Sequence, residues 1–403
     1  MDPNVGPGIL SHGELLDLLR REGPRTRRDL LHVTHLSRST LVERVTTLQR
    51  LGLLREGQRG PVGAGRPPVL LEVDDTSHTT LAIDLGAVHA TVAVTDLSAQ
   101  LLRTQHLETD LSGDPMQLLR RLRRSAARLV AQCGGPARLL GVGLGFPGLA
   151  GREPGTIEAP AVYGHWDGVP AGRVLARGFG VPALVVNDAH ALAYAEHLAH
   201  DRARTLLAVK VATGIGAGLV IDGRLHGGDS NGAGQLGHMR VPGLTGRCSC
   251  GQRGCLATIA SGRALVAKLR RYGVDSLDAI VEASGRGHPR TVAALREAGE
   301  AVGAALSGVA TMVDPGALLV GGTLGVLQPF QDGVRTMLHD LTYARTARGI
   351  HIGPTRLGER ATVTGVAALI IDQELSPGAV DRLVAARGEL SPDQPARRSG
   401  ALG

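Results

Sequence analysis

The chain has few aromatic residues, few cysteines and no long apolar segment. Of its 403 residues, 43% are apolar but only 2% are aromatic, so its cores must be built from aliphatic side chains and alanine. No apolar run reaches the roughly 18–20 residues that a membrane-spanning helix requires. The first residues also lack the charged and apolar regions of a secretion signal. We therefore expect a soluble, cytoplasmic protein without a membrane partner.

The four cysteines do not suit a disulfide framework and indicate a metal instead. Cys248, Cys250 and Cys255 lie within eight residues, whereas Cys133 stands alone. Three thiolates at this spacing, with glycines between them, can reach one Zn²⁺. His238 is the nearest upstream candidate for a fourth ligand. Four protein ligands leave no position for a catalytic water, so the pattern predicts a structural zinc, with free thiols as the alternative.

The positive charge is confined to one part of the chain. Residues 20–66 carry eleven arginines and four acidic residues, an excess of seven that equals the net charge of the whole protein. The rest of the chain is therefore neutral. A basic module on a neutral body indicates a polyanionic partner for that module alone. An arginine-rich surface that contacts only solvent would give the same excess of positive charge, and this alternative stays open.

Residues 1–78 have the pattern of a winged helix-turn-helix. One helix begins at Ser11, a second covers about residues 26–34, and a third runs from Ser37 to Leu51. In the third helix, apolar residues recur at helical spacing, so the opposite face must be exposed. We predict that this exposed face enters a DNA major groove. The predicted contact residues are Arg38, Ser39, Thr40, Glu43, Arg44, Thr47 and Arg50.

Two short segments after the third helix, residues 53–56 and 69–73, favour the two strands of a wing. The loop between them presents Arg66 beside prolines, which suits a narrow and electronegative minor groove. The module is therefore expected to bind double-stranded DNA, and a small helical interaction domain is the alternative. A homodimer or homotetramer would then recognise an inverted-repeat operator.

Residues 79–187 follow the order of a ribonuclease-H-like lobe, namely three strands, a helix and a strand. The first strand ends at Asp84 and Gly86, and a later buried strand ends at Asn187 and Asp188. Because α/β folds place their chemistry at the carboxyl ends of strands, these residues are candidates for a ligand site. Asn187 and Asp188 could instead serve only as a cap for the next helix.

Residues 188–361 form the expected second lobe, and a glycine loop marks its beginning. Thr213, Gly214 and Gly216 follow a buried strand and belong to a segment that can cradle phosphate. Glycines also serve sheet-to-helix turns, so this loop alone is weak support for a nucleotide site. Beyond the lobe, the polar residues 388–403 are expected to be a disordered tail.

Seven short motifs follow one another along the chain: Asp84-Leu-Gly86, Gly145-Phe-Pro-Gly148, Gly164-His-Trp166, Asn187-Asp188, Thr213-Gly-Ile-Gly-Ala-Gly218, Gly234-Gln-Leu-Gly-His238 and Cys248-x-Cys250-x4-Cys255. Together they resemble the ROK family, which groups sugar kinases with sugar-responsive transcription regulators. The resemblance covers about residues 80–370. It implies an α/β, two-lobed, actin-like ATPase fold behind the winged helix-turn-helix. In that fold a helix at about residues 362–375 returns to the first lobe.

The resemblance also implies roles for single residues. In family kinases, the acidic residue at the position of Asp188 deprotonates the sugar hydroxyl, and the histidine and three cysteines hold a structural zinc. Two glutamates that bind sugar hydroxyls in those kinases are replaced here by Gln235 and Ala257. Each lost charge-assisted hydrogen bond contributes roughly 1.5–3 kcal/mol. The usual hexose should therefore bind weakly or not at all.

The phosphate side departs from the family as well. The family motif Asp-x-Gly-Gly-Thr is Asp84-Leu-Gly86-Ala87-Val88 here, with methyl groups where the backbone would approach phosphate. We therefore expect no catalysis, a vestigial base at Asp188, and vestigial nucleotide loops. The loop residues concerned are Asp84, Gly86, Thr213, Gly214 and Gly216.

The combined pattern predicts a DNA-binding transcriptional regulator, in the sense of a repressor, for sugar or secondary carbon metabolism. A sugar or sugar derivative is the expected effector, bound near Asn187, Asp188, Gln235 and His238. Two alternatives stay open. One is an active ATP-dependent sugar kinase with a DNA-binding appendage. The other is a regulator that has lost small-molecule sensing.

Overall fold

The structure is a computed structural model that describes four stretches of the chain: residues 10–59, 69–159, 161–200 and 203–388. The predicted wing loop with Arg66 and most of the predicted tail lie outside the described residues. The chain divides into two compact units, Met1–His78 with Ile371–Gly403, and Thr79–Ile370. None of the described helices is long and apolar enough to cross a membrane.

The first unit contains three helices and a three-stranded sheet. Its elements are α1 His12–Glu22, β1 Arg25–Thr26, α2 Arg27–Thr34, α3 Arg38–Arg50, β2 Leu54–Arg59 and β3 Val69–Val73. β3 lies between β1 and β2 and runs antiparallel to both. Ser11, Thr26 and Ser37 cap the three helices by accepting a backbone N–H in the first turn. The predicted winged helix-turn-helix is confirmed.

The second unit begins with a five-stranded sheet. Its elements are β4 Thr79–Leu85, β5 His89–Thr95, β6 Leu101–Glu108, α4 Pro115–Gln132, β7 Leu139–Phe146, β8 Leu149–Ala150, β9 Ile157–Glu158, α5 Ala171–Phe179 and β10 Ala183–Asn187. The sheet order is β10-β7-β4-β5-β6, with β10, β7 and β4 parallel and the other pairs antiparallel. Its core includes Phe146 and Trp166, and the Trp166 indole donates to the Leu111 carbonyl at 2.9 Å.

The second lobe repeats this topology. Its elements are α6 Asp188–Leu198, β11 Thr205–Val211, β12 Ile215–Ile221, β13 Arg224–Leu225, α7 Ala257–Ala260, α8 Gly262–Leu269, α9 Leu277–Gly285, α10 Pro289–Val313, β14 Ala317–Gly321, α11 Gly322–Gly325, α12 Gln328–Leu341, α13 Ala344–Gly349, β15 His351–Pro354 and α14 Ala361–Glu374. The sheet order is β13-β12-β11-β14-β15, with three antiparallel strands first and two parallel strands after. The predicted two-lobed actin-like fold is confirmed.

The first turns of α14 pack against the first lobe. Val363, Val366 and Ala367 lie in one buried cluster with alanine and valine side chains from β4, β5, β10 and α6. Gly143 of β7 leaves room for this helix, because a Cβ there would lie 2.4 Å from Cγ1 of Val366. A bulkier residue in the strand would therefore displace α14.

The last helix, α15 Pro377–Gly388, belongs to the first unit and packs against α1. A Cβ at Gly13 would lie 2.1 Å from the Pro377 carbonyl oxygen, so only glycine allows this approach. The backbone N–H of Gly13 donates to Asp381 Oδ1 at 2.9 Å. The sequence-based boundary at residue 78 omits this helix, which joins the module from the far end of the chain.

Candidate functional site

Four side chains of the second lobe converge into a cluster that could hold a metal ion. The ligand atoms of His238, Cys248, Cys250 and Cys255 all lie within 4.8 Å of one another. His238 Nδ1 lies 3.6 Å from Cys248 Sγ, and Cys250 Sγ lies 3.7 Å from Cys255 Sγ. A tetrahedron with Zn–S bonds of about 2.3 Å and Zn–N bonds of about 2.0 Å has edges of about 3.8 and 3.5 Å. The donor set and its spacing therefore fit zinc.

The local backbone explains why the cluster forms at this spacing. Gly251 and Gly254 have φ values of +88° and +77°, in the left-handed region that favours glycine. The N–H of Cys248 donates to the Gln252 carbonyl at 2.8 Å and closes the turn. Cys255 is fully buried, and burial together with the neighbouring thiols raises the pKa of its thiol to about 12. A cation is therefore needed to keep this sulfur ionised at neutral pH.

A largely buried ion pair joins the two lobes. Lys210 Nζ lies 2.9 Å from Asp188 Oδ2 and 3.9 Å from Asp84 Oδ1, and it donates to Thr362 Oγ1 at 3.1 Å. Lys210 and Asp84 stand at the carboxyl ends of β11 and β4, and the other two residues stand at the beginnings of α6 and α14. We call these four residues the cleft floor.

The charged groups of the cleft floor shift one another's pKa values. Burial opposes the charge on Lys210, but the carboxylates of Asp188 and Asp84 outweigh this effect and raise the pKa of the ammonium. Burial raises the pKa of Asp84, and Lys210 offsets part of that rise. The ammonium is therefore charged at neutral pH and is directed at Asp188. Sequence reasoning missed Lys210, because a single lysine within an apolar strand belongs to no motif.

Asn187 and Asp188, the two predicted ligand residues at the end of β10, differ in their surroundings. Asn187 caps α6, since its side-chain oxygen accepts the N–H groups of Ala189 and His190 at 3.0 and 3.1 Å. Its amide nitrogen donates to the Gly148 carbonyl at 2.7 Å. Asn187 therefore caps α6, whereas Asp188 is the first residue of the helix and pairs with Lys210.

Gln235 and His238 lie on the loop that leads to the metal cluster. Gln235 is exposed, and the short helix Leu236–His238 follows it directly. His190 Nε2 contacts the Ala233 carbonyl at 2.9 Å, which holds this loop beside α6. His238 directs Nδ1 into the cluster. The metal cluster and the Gln235 loop therefore belong to one continuous segment.

The first predicted phosphate loop is occupied by internal contacts. The N–H of Gly86 donates to the His89 carbonyl at 2.8 Å, so it is not free for a phosphate oxygen. Ala87 and Val88 follow, and Val88 is 64% exposed. Asp84, which precedes this loop, is buried and faces Lys210. The backbone N–H of Gly86 is therefore committed to a contact within the loop.

The second predicted phosphate loop is held by the beginning of α8. The N–H groups of Gly262 and Arg263 donate to the carbonyls of Ala212 and Thr213 at 2.9 and 3.2 Å. A Cβ at Gly214 would meet nothing within 4 Å. A Cβ at Gly216, by contrast, would lie 3.0 Å from the Ala189 Cβ, so this glycine is required for packing on α6.

The exposed face of α3 carries the predicted DNA contacts. Leu41, Val45 and Leu48 are buried as the periodicity predicted. Of the predicted contact residues, Arg38, Ser39, Glu43 and Arg50 are exposed, and Thr40, Arg44 and Thr47 are half-buried. Glu43 Oε1 also lies 3.2 Å from His12 Nε2 of α1, which orients its side chain.

Sequence reasoning missed one residue on this face. Val42 is 54% exposed and sits between the predicted polar contacts. An exposed valine on such a helix can contact a thymine methyl group. The sequence does contain a signal for this residue, because Val42 is apolar but falls outside the helical spacing of the buried positions.

The comparisons with known proteins agree with this architecture. The ROK family matches residues 80–373. The xylose repressor of Bacillus spizizenii is 26% identical over 368 residues, covering 90% of this chain and 94% of the repressor. The N-acetylmannosamine kinase of Salmonella typhi is 31% identical over 265 residues, covering 64% of this chain and 88% of the kinase.

A solved ROK family transcriptional regulator, described as a homologue of the E. coli Mlc protein, has a TM-score of 0.76 and 24% identity, and it covers 93% of this chain and 98% of its own. Because the match to the regulator covers 93% of this chain, it must include part of the N-terminal module. The match to the kinase covers 64% of this chain, so it can leave the module out entirely. Since the family match spans well over half of the chain, this chain belongs to the ROK family.

Proposed function

We propose that the protein is a DNA-binding transcriptional repressor of the ROK family that controls genes of sugar or related carbon metabolism. The proposal rests on the observation that one chain contains both a winged helix-turn-helix and a domain of the ROK family. The third helix of the module exposes Arg38, Ser39 and Arg50, side chains suited to phosphates and base edges. The relatives that match along nearly the whole chain are a repressor and a regulator.

In this proposal the body does not transfer phosphate. A general base needs a free carboxylate within hydrogen-bond reach of the substrate hydroxyl. The carboxylate of Asp188 is instead 2.9 Å from the Lys210 ammonium, which neutralises it. The N–H of Gly86 is committed to the His89 carbonyl, so one phosphate donor is missing too. These contacts support a silent active site derived from a kinase.

The proposed effector is a sugar or sugar derivative in the cleft near Asn187, Asp188, Gln235 and His238. Helix α14 offers a route from the cleft to the DNA-binding module. Thr362 near its beginning binds Lys210, whereas its last residues, from Ile371 on, group with the first unit. An effector that binds one arrangement of the lobes better would shift this helix and so change operator affinity.

The metal has a structural role in this proposal. His238, Cys248, Cys250 and Cys255 would hold zinc with all four positions filled, so that zinc would supply folding energy and no open site for water. The same segment carries Gln235, whose position would then depend on the metal.

The DNA proposal is tested by genome-wide capture of DNA with the purified protein, followed by footprinting. We expect protection of an inverted repeat, since a homodimer or homotetramer presents two modules. The double substitution of Arg38 and Arg50 by alanine should weaken binding by about 2–6 kcal/mol, at roughly 1–3 kcal/mol for each specific contact. Arg21→Ala on α1, whose arginine pairs with Asp17, is the matched control. Absence of any protected repeat would contradict the proposal.

The kinase alternative is tested separately. ATP turnover is measured with a broad panel of sugars in a coupled assay, and we expect none above background. Turnover at ordinary kinase rates would overturn the silent-site proposal. Thermal shift with the same panel addresses sensing, because a ligand that binds the folded protein raises its melting temperature. A specific rise would favour a sensing repressor over one that only oligomerises.

A further inference from the structure

Helix α4 of the first lobe is rich in arginine and contains no acidic residue. Five arginines occur among its 18 residues. Arg121, Arg124 and Arg128 lie at positions i, i+3 and i+7, which places them on one face of the helix. All three are exposed, as is Arg103 on the neighbouring strand β6. We call these four residues the arginine band.

The contacts of α4 show that these arginines form one surface. The Ser125 hydroxyl donates to Gln105 Oε1 at 2.6 Å and joins the helix to β6, the edge strand of the sheet. At the other end, burial raises the pKa of the Cys133 thiol, and the charge of Arg103 lowers it in part. Arg103 therefore lies close to the end of α4. Along the helix, the three arginines from Arg121 to Arg128 extend over about 10 Å at 1.5 Å per residue.

Among the residues that the structure describes, none of the four members of the arginine band forms an ion pair. Several arginines elsewhere on the body do, as in Arg173 with Glu153, Arg286 with Glu282, and Arg296 with Asp332. Like charges at i, i+4, as in Arg124 and Arg128, also cost helix stability. A surface that accepts this cost without internal compensation suits an external anion.

We propose that the arginine band binds the phosphate backbone of duplex DNA as a second contact, outside the winged helix-turn-helix. This inference rests on the proposed function. Guanidinium groups bind phosphate in a bidentate manner. One strand carries a charge about every 3.4 Å along the duplex axis, so a helical span of about 10 Å can face on the order of three phosphates.

The composition of the exposed face favours DNA over a protein partner. The exposed positions of α4 are occupied by arginine, glutamine and alanine. A protein interface would be expected to have a large apolar or aromatic residue at its centre. Phosphate contacts carry no sequence information, so the band would add affinity without changing the operator.

The test is the salt dependence of DNA binding by the full-length, metal-loaded protein. The variant Arg121→Gln/Arg124→Gln/Arg128→Gln is compared with the matched control Arg286→Gln/Arg296→Gln/Arg335→Gln, whose arginines pair with acidic side chains. The probe is a fluorescent 40-base-pair duplex of mixed sequence. Affinity is measured by anisotropy between 50 and 200 mM NaCl, and circular dichroism checks that each variant is folded.

Each phosphate contact contributes about 0.9 to the slope of log K against log salt. We expect the α4 variant to lower the slope by about 2 to 3 and the control to leave it unchanged. Equal slopes for the α4 variant and the wild type would overturn the inference while leaving the proposed function intact. Failure of the wild type to bind any duplex at low salt would instead contradict the proposed function. If the α4 substitutions weaken binding to polyglutamate but not to DNA, the inference is overturned and the arginine band is assigned to an acidic protein partner.

Discussion

The metal cluster and the cleft floor hold negative charge in opposite ways. The cluster gathers three thiols and an imidazole within 4.8 Å, a donor set that an external cation completes. The cleft floor gathers two carboxylates and supplies the cation from its own chain, at 2.9 Å from Asp188. The metal cluster is therefore open to an external cation, whereas the cleft floor already contains a cation from its own chain, the Lys210 ammonium.

This difference bears on the proposal that the chain keeps the family fold without phosphate transfer. Asp84 and Asp188 stand at the positions where the family resemblance places a phosphate-loop residue and the catalytic base. Their reactivity depends on Lys210, whose charge favours the ionised carboxylate but leaves it paired. The residue type alone therefore says less about reactivity than the identity of the group that pairs with the carboxylate.

The strongest way to break the comparison is to open the metal cluster. Cys255→Ser should remove the bound metal and unfold part of the second lobe. The reason is that zinc binding contributes on the order of 10 kcal/mol to small metal-dependent folds. Elemental analysis should fall from about one zinc per chain to nearly none, and calorimetry should show a melting temperature lower by more than about 10 °C.

Cys133→Ser is the control for this experiment, because Cys133 is the one cysteine outside the cluster. It should keep both the zinc and the melting temperature. Stoichiometric zinc in the Cys255→Ser protein would show that the cluster is not the metal site.

The next largest effect is expected at the cleft floor. Lys210→Met keeps the side-chain length but leaves two buried carboxylates without their cation. Breaking a buried pair in this way costs about 3–5 kcal/mol. Adding Asp188→Asn should recover more than half of that loss, because one of the two buried charges is then gone. Urea unfolding of the single and double variants measures this coupling, and additive losses would refute the pairing.

The pH dependence sharpens the same point. The folded pKa of Lys210 is raised, so its stabilising effect is present below its ordinary value of 10.5 and is lost as the pH rises through the folded value. The folded pKa of Asp84 is raised from 3.8, so its effect is present below that value and is lost as the pH rises through the folded pKa. Removing Lys210 also removes the charge that offsets part of the rise in the pKa of Asp84, so the stability of the Lys210→Met variant should fall more steeply above about pH 3.8 than that of the wild type. Parallel curves would mean that the charge on Lys210 is unimportant.

Much of the fold and the metal cluster could be predicted because their signals are local. The spacing of Leu41, Val45 and Leu48 fixes the buried face of α3, and Ser37 marks its beginning. The cysteine spacing predicted the cluster in the same way, since the donors arise within a short segment that two glycines allow to turn. These features depend on neighbours in sequence.

The cleft floor and the packing of the last helix on α1 could not be predicted because their signals are distant. Lys210 and Thr362 are separated by 152 positions, and neither belongs to a recognisable motif. Gly13 and Asp381 are 368 positions apart, so nothing near Gly13 indicates that α15 will pack on it. Asn187 shows a different limit of sequence-based prediction, because the same side chain fits both the pattern of a helix cap and the pattern of a ligand site.

The smallest expected effect tests whether Thr362 belongs to the cleft floor. Thr362→Val keeps the shape of the side chain but removes the oxygen that accepts a hydrogen bond from Lys210 at 3.1 Å. A lost hydrogen bond to a charged group costs about 1.5–3 kcal/mol, and the two remaining carboxylates should limit this loss to about 1–2 kcal/mol. Thr364→Val on the same helix is the control, with an expected change within about 0.5 kcal/mol. In the Lys210→Met background, Thr362→Val should cost less than in the wild type, because only the hydrogen bond of Thr362 to Asp84 is then left to lose. An undiminished loss there would mean that Thr362 acts independently of Lys210 and that its hydrogen bond to Asp84 is the one that matters.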